Sequence, residues 1–445
     1  MNSTTRLRGI VPTLVLAGLT CASAGRAVTL DECIGTALRR NPDVRAATER
    51  VQAARAAIRE ARSAYFPVLG SSVTYARTDN PPQAFMMLLN QRSVSLQSDF
   101  NNPPDTDNLA LSLGVKYRLF DFGRRGLDND MAREGAEASL LILQGLQNDL
   151  IHQVTRGYYA VLQAAAFVAV QEESVTTFEE SLRVANERMK AGGAVKTDVL
   201  NLDVQLAQAK EDLIRARNGV KLSLAALNTA IGATLVSATN LPDRVDQPAV
   251  KPPADEDPAV VQNRPELLAA RQAVQIRQAA VRKARRQHLP TVNAFGSVDW
   301  NSDVSSDFER SYLVGVAADL DLFDGGRRRA AVSGARAEER ATEAEAEKAA
   351  NELRLDLTSA SLQAGEAWER LDVVRKSIEN AEEALRITKQ RYQQGAADLP
   401  ELLTAQMGLT GTRTRNVAAL YDYWIALSNL ERAKGALVRR YAGQN

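Results

Sequence analysis

The sequence predicts a mixed α and β fold of internally duplicated design, in which long antiparallel α-helical coiled-coil hairpins alternate with four β-strands. Three observations predict it. Two landmarks recur at one stride: Leu119-Phe120-Asp121-Phe122-Gly123-Arg124-Arg125 returns as Leu322-Phe323-Asp324-Gly325-Gly326-Arg327-Arg328, and Arg188-Met189-Lys190-Ala191-Gly192 as Arg391-Tyr392-Gln393-Gln394-Gly395, each 203 residues on. A common stride between distant landmarks marks two copies of one unit. Apolar residues alternate with polar or small ones before each Phe-Asp landmark, a strand period. Between the landmarks, apolar residues fall at 3-4 spacing over runs far longer than a globular helix.

Residues 1–27 read as a secretory signal. Arg6 and Arg8 form a basic start, Ile10 to Leu19 an apolar core, and Ala22-Ser23-Ala24 or Gly25-Arg26-Ala27 a small-residue cleavage site near 24 or 27. The alternative, an N-terminal membrane helix, needs a longer apolar stretch. Lipidation at Cys21 is a further alternative, disfavoured by Thr20, where that signal wants Gly or Ala. Cleavage leaves Cys33 alone, without an internal disulfide and suited to a small buried role.

The first repeat spans 28–230 and the second 264–445. Asn41-Pro42 aligns with Arg264-Pro265 and Phe66-Pro67 with Leu289-Pro290 at a stride of 223, so the first copy carries 20 extra residues before Phe120. They fall in Thr78 to Asn108, rich in Pro, Asn, Asp and Ser, which reads as a loop. Pro67 and Pro290 mark the helix-to-strand turns, because proline cannot continue a helical ladder.

The strongest strands are Leu109 to Phe120 and Tyr312 to Phe323, each preceded by a weaker one, Val68 to Arg77 and Thr291 to Trp300. About ten residues with a dyad period suits a transmembrane β-strand, and Tyr75, Phe295 and Trp300 suit a membrane interface. A soluble sheet packed on the helices is the alternative that alternation alone leaves open. Phe120, Asp121 and Gly123, with Phe323, Asp324, Gly325 and Gly326, mark the strand-to-helix turns. Arg124, Arg125, Arg327, Arg328 and Arg329 then stand at helix starts, where the macrodipole disfavours cations. Lipid phosphates are the expected compensation, solvated charge the alternative.

Helices are expected over Leu127 to Lys190 and Arg328 to Gln393, on the order of 100 Å each at about 1.5 Å per residue. Their seams run through Val168, Val175, Phe178, Leu182 and Ala185, and through Leu371, Val374, Ile378, Leu385 and Tyr392. After Gly192, Gly193 and Gly395, which suit tight turns, the seams resume at Val199, Leu202 and Leu206 and at Leu402, Ala405 and Leu409. Proline-rich residues 231–263 form the connector, a flexible linker or a belt around the middle of both copies.

This ordered set resembles the outer membrane efflux protein family, of which TolC is the familiar member, over essentially the whole mature chain. Leu30-Asp31-Glu32-Cys33 through Asn41-Pro42 is similar to the family's opening helix. The resemblance implies a homotrimer in the Gram-negative outer membrane, with four strands per chain in a twelve-stranded transmembrane β-barrel and the helices in an α-barrel tunnel across the periplasm. It implies an exit duct for efflux or type I secretion, served by a periplasmic adaptor (membrane fusion protein) and an inner-membrane RND or ABC-type transporter. The implied tip pattern, aromatic-x-x-Gly-x-x-x-x-x-acid, is met by Met189, Gly192 and Asp198, with Met for the aromatic, and by Tyr392, Gly395 and Glu401.

By the same resemblance Gly192, Gly193, Lys196, Gly395 and Ala396 meet the adaptor, while Asp198, Tyr392 and Glu401 form the constriction, Tyr392 hydrogen-bonding Asp198. The family arginine of this latch falls on Ala397. Three Glu401 carboxylates around an axis would form an anionic ring; a solvated acid at a helix start is the alternative. His152 and His288 lie in different segments and no cysteine pair has metal spacing, so no enzyme and no cofactor is expected. The net charge of +1 gives no global field for nucleic acid. An exported coiled-coil scaffold without a pore is the rival reading.

Overall fold

The structure, a computed structural model, describes residues 27–95, 99, 101–237, 240, 248, 251–252, 257–303 and 307–442. The signal segment up to residue 26, with Cys21, lies outside the described residues.

Helix α1 (Leu30–Arg40) begins at a capping box in which Thr29 and Glu32 satisfy each other's backbone N–H. Asn41 ends it and caps α2 (Pro42–Ser63), accepting from Asp43 N at 2.8 Å. Strand β1 (Val68–Thr78) follows Pro67, and after a short helix α3 (Pro81–Asn90) the chain returns as β2 (Thr106–Phe120). The long helix α4 (Arg124–Lys190) turns into α5 (Lys196–Ile231). The second copy repeats the plan: α6 (Pro265–Arg286), β3 (Thr291–Ser302), β4 (Glu309–Asp319), α7 (Arg327–Gln393) and α8 (Leu399–Ala433), then a terminal α9 (Leu437–Ala442).

Two sequence expectations are corrected here. The segment from Thr78 to Asn108 is not simply a loop: Pro81 at a helix start, where its missing N–H costs nothing, opens the ten-residue α3. And β4 ends at Asp319, short of Phe323; Leu322 and Phe323 lie exposed on the way into the glycine turn.

All four strands form one antiparallel sheet in the order β1-β2-β3-β4. The register puts Leu69, Val73, Leu111, Leu113, Val115, Val298, Trp300, Tyr312, Val314 and Val316 on one face. Nothing among the described residues covers it, and Tyr312 and Val314 are 75% and 78% exposed. The opposite face is predominantly polar, carrying Ser72, Ser112, Lys116, Arg118, Asn293, Ser297 and Asp299 together with Val68, Phe295 and Leu313; Phe295, expected at the interface with Tyr75 and Trp300, thus lies on the face away from theirs. There Asp299 accepts from Ser112 Oγ at 2.5 Å and from Ser297 Oγ at 2.8 Å. Strands β1 and β4 each leave one edge unpaired.

Helices α4 and α7 are each 67 residues long. Every predicted seam position, from Val168 to Met189 and from Leu371 to Tyr392, is buried or half-buried, as the 3-4 spacing requires. One core, around Ile34, Ile151, Val154, Leu227 and Ile231, joins α1 to α4 and α5. A second joins the hairpin ends through Phe178, Leu202, Tyr392 and Leu402, and a third packs Leu267, Leu357 and Leu430. Of the connector's described residues, Val236 enters the first core, Lys251 reaches Glu369 on α7 at 3.5 Å, and Val261, in a 3-10 helix over Pro258–Asn263, enters the third.

The aligned positions Asn41 and Arg264 do one job with different chemistry. Asn41 Nδ2 donates to Ala230 O at 2.9 Å, and Arg264 Nη1 to Ala433 O at 3.2 Å, each tying the start of one helix to the last turn of another. Arg264 adds a buried charge, which Glu266 (2.9 Å) and Asp356 (2.8 Å) balance; Asp356 also accepts from Arg432 at 2.6 Å. Burial works to raise the Asp356 pKa, but the hydrogen bonds and charges of Arg432 and Arg264 prevail and hold it below the ordinary carboxylate range.

Candidate functional site

The sequence-predicted residues gather at two ends of the helices. At the strand-to-helix end, the aspartate of each Phe-Asp landmark compensates the arginines that follow it. Asp121 Oδ1 accepts from Gly123 N at 3.1 Å and Oδ2 from Arg125 N at 3.0 Å, and Oδ2 forms an ion pair with the Arg125 guanidinium, 3.1 Å from Nε. Asp324 repeats this on Gly326 N, Arg328 N (both 3.1 Å) and Arg328 Nε (2.6 Å). The carboxylate thus meets the exposed N–H groups of the first turn and a cation four residues on. Gly123 (φ 74°) and Gly326 (φ 87°) take the left-handed conformation that swings the chain into the helix.

The other arginines also find protein partners. Arg125 donates to Ala64 O (3.2 Å) and lies over the Tyr65 ring at 5.0 Å. Arg124 donates to Leu289 O (3.3 Å) and Pro290 O (3.2 Å), stitching the first repeat's junction to the second's, beside Pro290 as Pro67 stands beside β1. Arg327 pairs loosely with Asp321 at 3.4 Å, both exposed. The expectation that lipid phosphates compensate this cluster is therefore corrected for Arg124, Arg125 and Arg328, whose partners lie within the chain.

At the opposite end the two hairpins turn. Gly193 N donates to Arg188 O at 2.8 Å and Gly192 N to Met189 O at 3.1 Å; Ala396 N to Arg391 O and Gly395 N to Tyr392 O repeat both distances. This is a Schellman closure, with Gly192 (φ 79°) and Gly395 (φ 75°) at the left-handed position. The entries into the return helices differ. Asp398 caps α8 by accepting from Glu401 N at 2.9 Å, whereas Val195 gives α5 no side-chain cap and Lys196 follows, exposed, at the positive end of the helix.

Arg188 is the residue that sequence reasoning missed. Its Nη1 donates to Tyr392 O and its Nη2 to Gly193 O at 3.0 Å, while its guanidinium lies 4.5 Å from the centre of the Tyr392 ring. It holds the first turn against the second. Arg391, its equivalent, serves its own turn instead, donating to Ala396 O at 3.1 Å and pairing with Glu401.

Two expectations change accordingly. Tyr392 is 3% exposed, and its hydroxyl has no hydrogen-bond partner among the described residues, so the expected bond to Asp198 is absent. Burial pushes that hydroxyl's pKa up, against the pull of Arg188, with the nearby Asp198 charge adding to the rise. Glu401 is not a bare carboxylate: within the chain it is neutralised by Arg391. A further link missed from sequence is Gln406 Nε2 to Ser181 Oγ at 2.5 Å, buried between the hairpins.

The sequence pattern that defines the outer membrane efflux proteins matches residues 33–233 and 258–436. The chain belongs to the outer membrane efflux protein family. Among curated relatives of this efflux protein, the alkaline protease secretion protein AprF of Pseudomonas aeruginosa is 23% identical over 415 residues, covering 90% of this chain and 83% of AprF. The outer membrane protein OprJ of the same organism is 25% identical over 418 residues, covering 91% and 84%. In fold, the chain is similar to the outer-membrane channel OprN (TM-score 0.80, 22% identity, 92% and 90% coverage) and to the Campylobacter jejuni CmeC outer membrane channel (TM-score 0.80, 15% identity, 98% and 94% coverage). Among the described residues no helix is long and apolar enough to cross a membrane.

Proposed function

We propose that three copies of this efflux-family chain close one twelve-stranded barrel in the outer membrane and one helical tunnel beneath it, forming the exit duct of a tripartite efflux or type I secretion system. One observation carries this reading: a four-stranded sheet with an uncovered apolar face, a polar face and two unpaired edges. Unpaired strand edges are prohibitive in lipid, and closure with further copies removes them. The apolar face then meets lipid and the polar face lines the lumen.

The helices support the same closure. Packing of α5 on α4, and of α7 on α6 and α8, leaves α5 and α7 on opposite flanks. Leu200, Val204, Ile214 and Leu222 stand exposed on α5, and Leu355, Leu362 and Val373 on α7, offering neighbouring copies an apolar seam. A pore-less scaffold gives none of these surfaces a partner.

Gly192, Gly193, Lys196, Gly395 and Ala396, at the hairpin turns, form the end that meets the adaptor and, through it, the inner-membrane pump. Asp198, Tyr392 and Glu401 lie beside them at the constriction, with Arg188 as the cross-hairpin clasp. Detergent-extracted, heat-modifiable trimers that conduct in planar bilayers are the expected result; a freely soluble monomer would overturn the reading. Co-purification of adaptor and pump from cross-linked cells tests the docking end.

A further inference from the structure

The insertion that the first repeat alone carries is tethered mainly to the polar face of the sheet, with Asp105 also pairing with Arg77 on the other face of β1 at 2.9 Å. Thr78 Oγ1 on β1 donates to Gln83 Oε1 of α3 at 3.2 Å. Gln91, buried just after α3, donates to Asn108 Oδ1 on β2 at 3.0 Å, and Asn108 in turn to Asn301 Oδ1 on β3 at 3.0 Å. Arg92 then reaches β4, pairing with Glu309 at 3.3 Å and donating to Arg310 O at 3.1 Å. In the strand register Thr78, Asn108, Asn301 and Glu309 all belong to the polar face. The helix and its turn therefore reach β1, β2 and β4 on that face, with Asn108 relaying to β3, at the end farthest from the long helices.

Helix α3 is apolar on both sides. Ala84 is fully buried with Phe85, Met87 and Leu88 half-covered and Gln91 buried just beyond the helix, while Met86 and Leu89 stand exposed on the far side. Arg92 adopts φ 53°, uncommon for a residue other than glycine, and this sets the turn that carries its side chain to β4.

We propose that α3 is an outer gate: in the closed barrel three copies project Met86 and Leu89 toward the axis as an apolar collar, held shut by the Gln91 and Arg92 tethers. This rests on the trimeric reading above, in which the polar face lines the lumen. An apolar constriction resists ions and water by dewetting. The Arg92–Glu309 pair is exposed on both sides, so it is weak, screened by salt, and suited to release. Passage of cargo then requires α3 to lift from the wall, which makes the collar a selector of size and polarity at the cell surface.

The test reads access from outside, independently of the hairpin turns. Ser72→Cys places a thiol on the exposed polar face of β1, below α3, while native Cys33 is fully buried. In intact cells a small charged thiol reagent is expected to label Ser72→Cys, and a polymer-linked maleimide to label it slowly. Arg92→Glu, or Met86→Asp with Leu89→Asp, should speed polymer labelling on the order of tenfold as the collar loosens or wets. Adding Glu309→Arg to Arg92→Glu should restore the slow rate. Equal polymer labelling in wild-type and both gate variants, with trimers intact, would overturn the gate and leave the duct standing. No labelling by either reagent in any variant would overturn the lumen assignment and the gate with it.

Discussion

The two repeats agree at one end of the long helices and diverge at the other. At the strand-to-helix junctions Asp121 and Asp324 hold equivalent N–H groups at nearly the same distances and pair with equivalent arginines. At the hairpin turns the backbone closure is duplicated but the side chains are not: Met189 is the counterpart of Tyr392, Val195 stands for Asp398, and of the equivalent Arg188 and Arg391 it is Arg188 that crosses between hairpins. The junctions have one geometric task in each copy. The turns have unequal tasks, as expected where one hairpin clasps and the other is clasped.

The largest effects should come from breaking the equal end. Asp121→Ala strands Arg125, whose side chain is 10% exposed, and Asp324→Ala strands Arg328 likewise. Losing one partner of a buried pair costs about 3–5 kcal/mol. Thermal stability should drop by similar amounts in both variants, and a clearly one-sided loss would break the equivalence. At the unequal end, Arg188→Ala removes hydrogen bonds from a charged donor, about 1.5–3 kcal/mol, and should raise resting conductance in planar bilayers more than Arg391→Ala. Arg188→Lys should not rescue, because an ammonium lacks the planar fork that spans Tyr392 O and Gly193 O.

The Asn41 and Arg264 pair extends the contrast to pH. Because the folded pKa of Asp356 is depressed, its contribution is complete above the ordinary aspartate value of about 3.9 and is lost as pH falls through the lower folded value. Thermal stability should weaken in that acid range, and Asp356→Asn should flatten this part of the profile. Val195→Asp would give the first turn the cap that Asp398 gives the second, a gain of about 1 kcal/mol in melting experiments. Tyr392→Phe should change stability and conductance least, within about 0.5 kcal/mol, since its hydroxyl bonds nothing; a large rise in conductance would restore that hydroxyl to the clasp.

Periodic features were legible in the sequence because they depend on local spacing. The seams, the glycine turns and the strand faces follow from period, and the Asp-to-Arg pairing at Asp121 and Arg125 was readable as an i,i+4 pair within the landmark itself. A helix start full of arginines points to lipid only when taken alone; the aspartate two residues before the glycine supplies the counter-charge within the chain. Helix α3 was hidden by its setting: Pro81 and Pro82 amid Asn, Asp and Ser read as turn residues, although proline at a helix start is favourable. The role of Arg188 was not legible, since it depends on a residue 204 positions away. Nor was the silence of the Tyr392 hydroxyl, because neighbouring Asp198 supplies a field without a bond.

Equal helix length has a consequence for how such a chain can vary. With α4 and α7 both 67 residues long, the two hairpins of the chain descend to one level, and Arg188 meets Tyr392 across it. Removing a heptad from α4 and its return helix alone would lift one turn by about 10 Å, uncoupling the clasp while leaving every seam in phase. Length is therefore a paired variable: the duct can be shortened or extended only by editing both halves in step, as the legs of a table are trimmed.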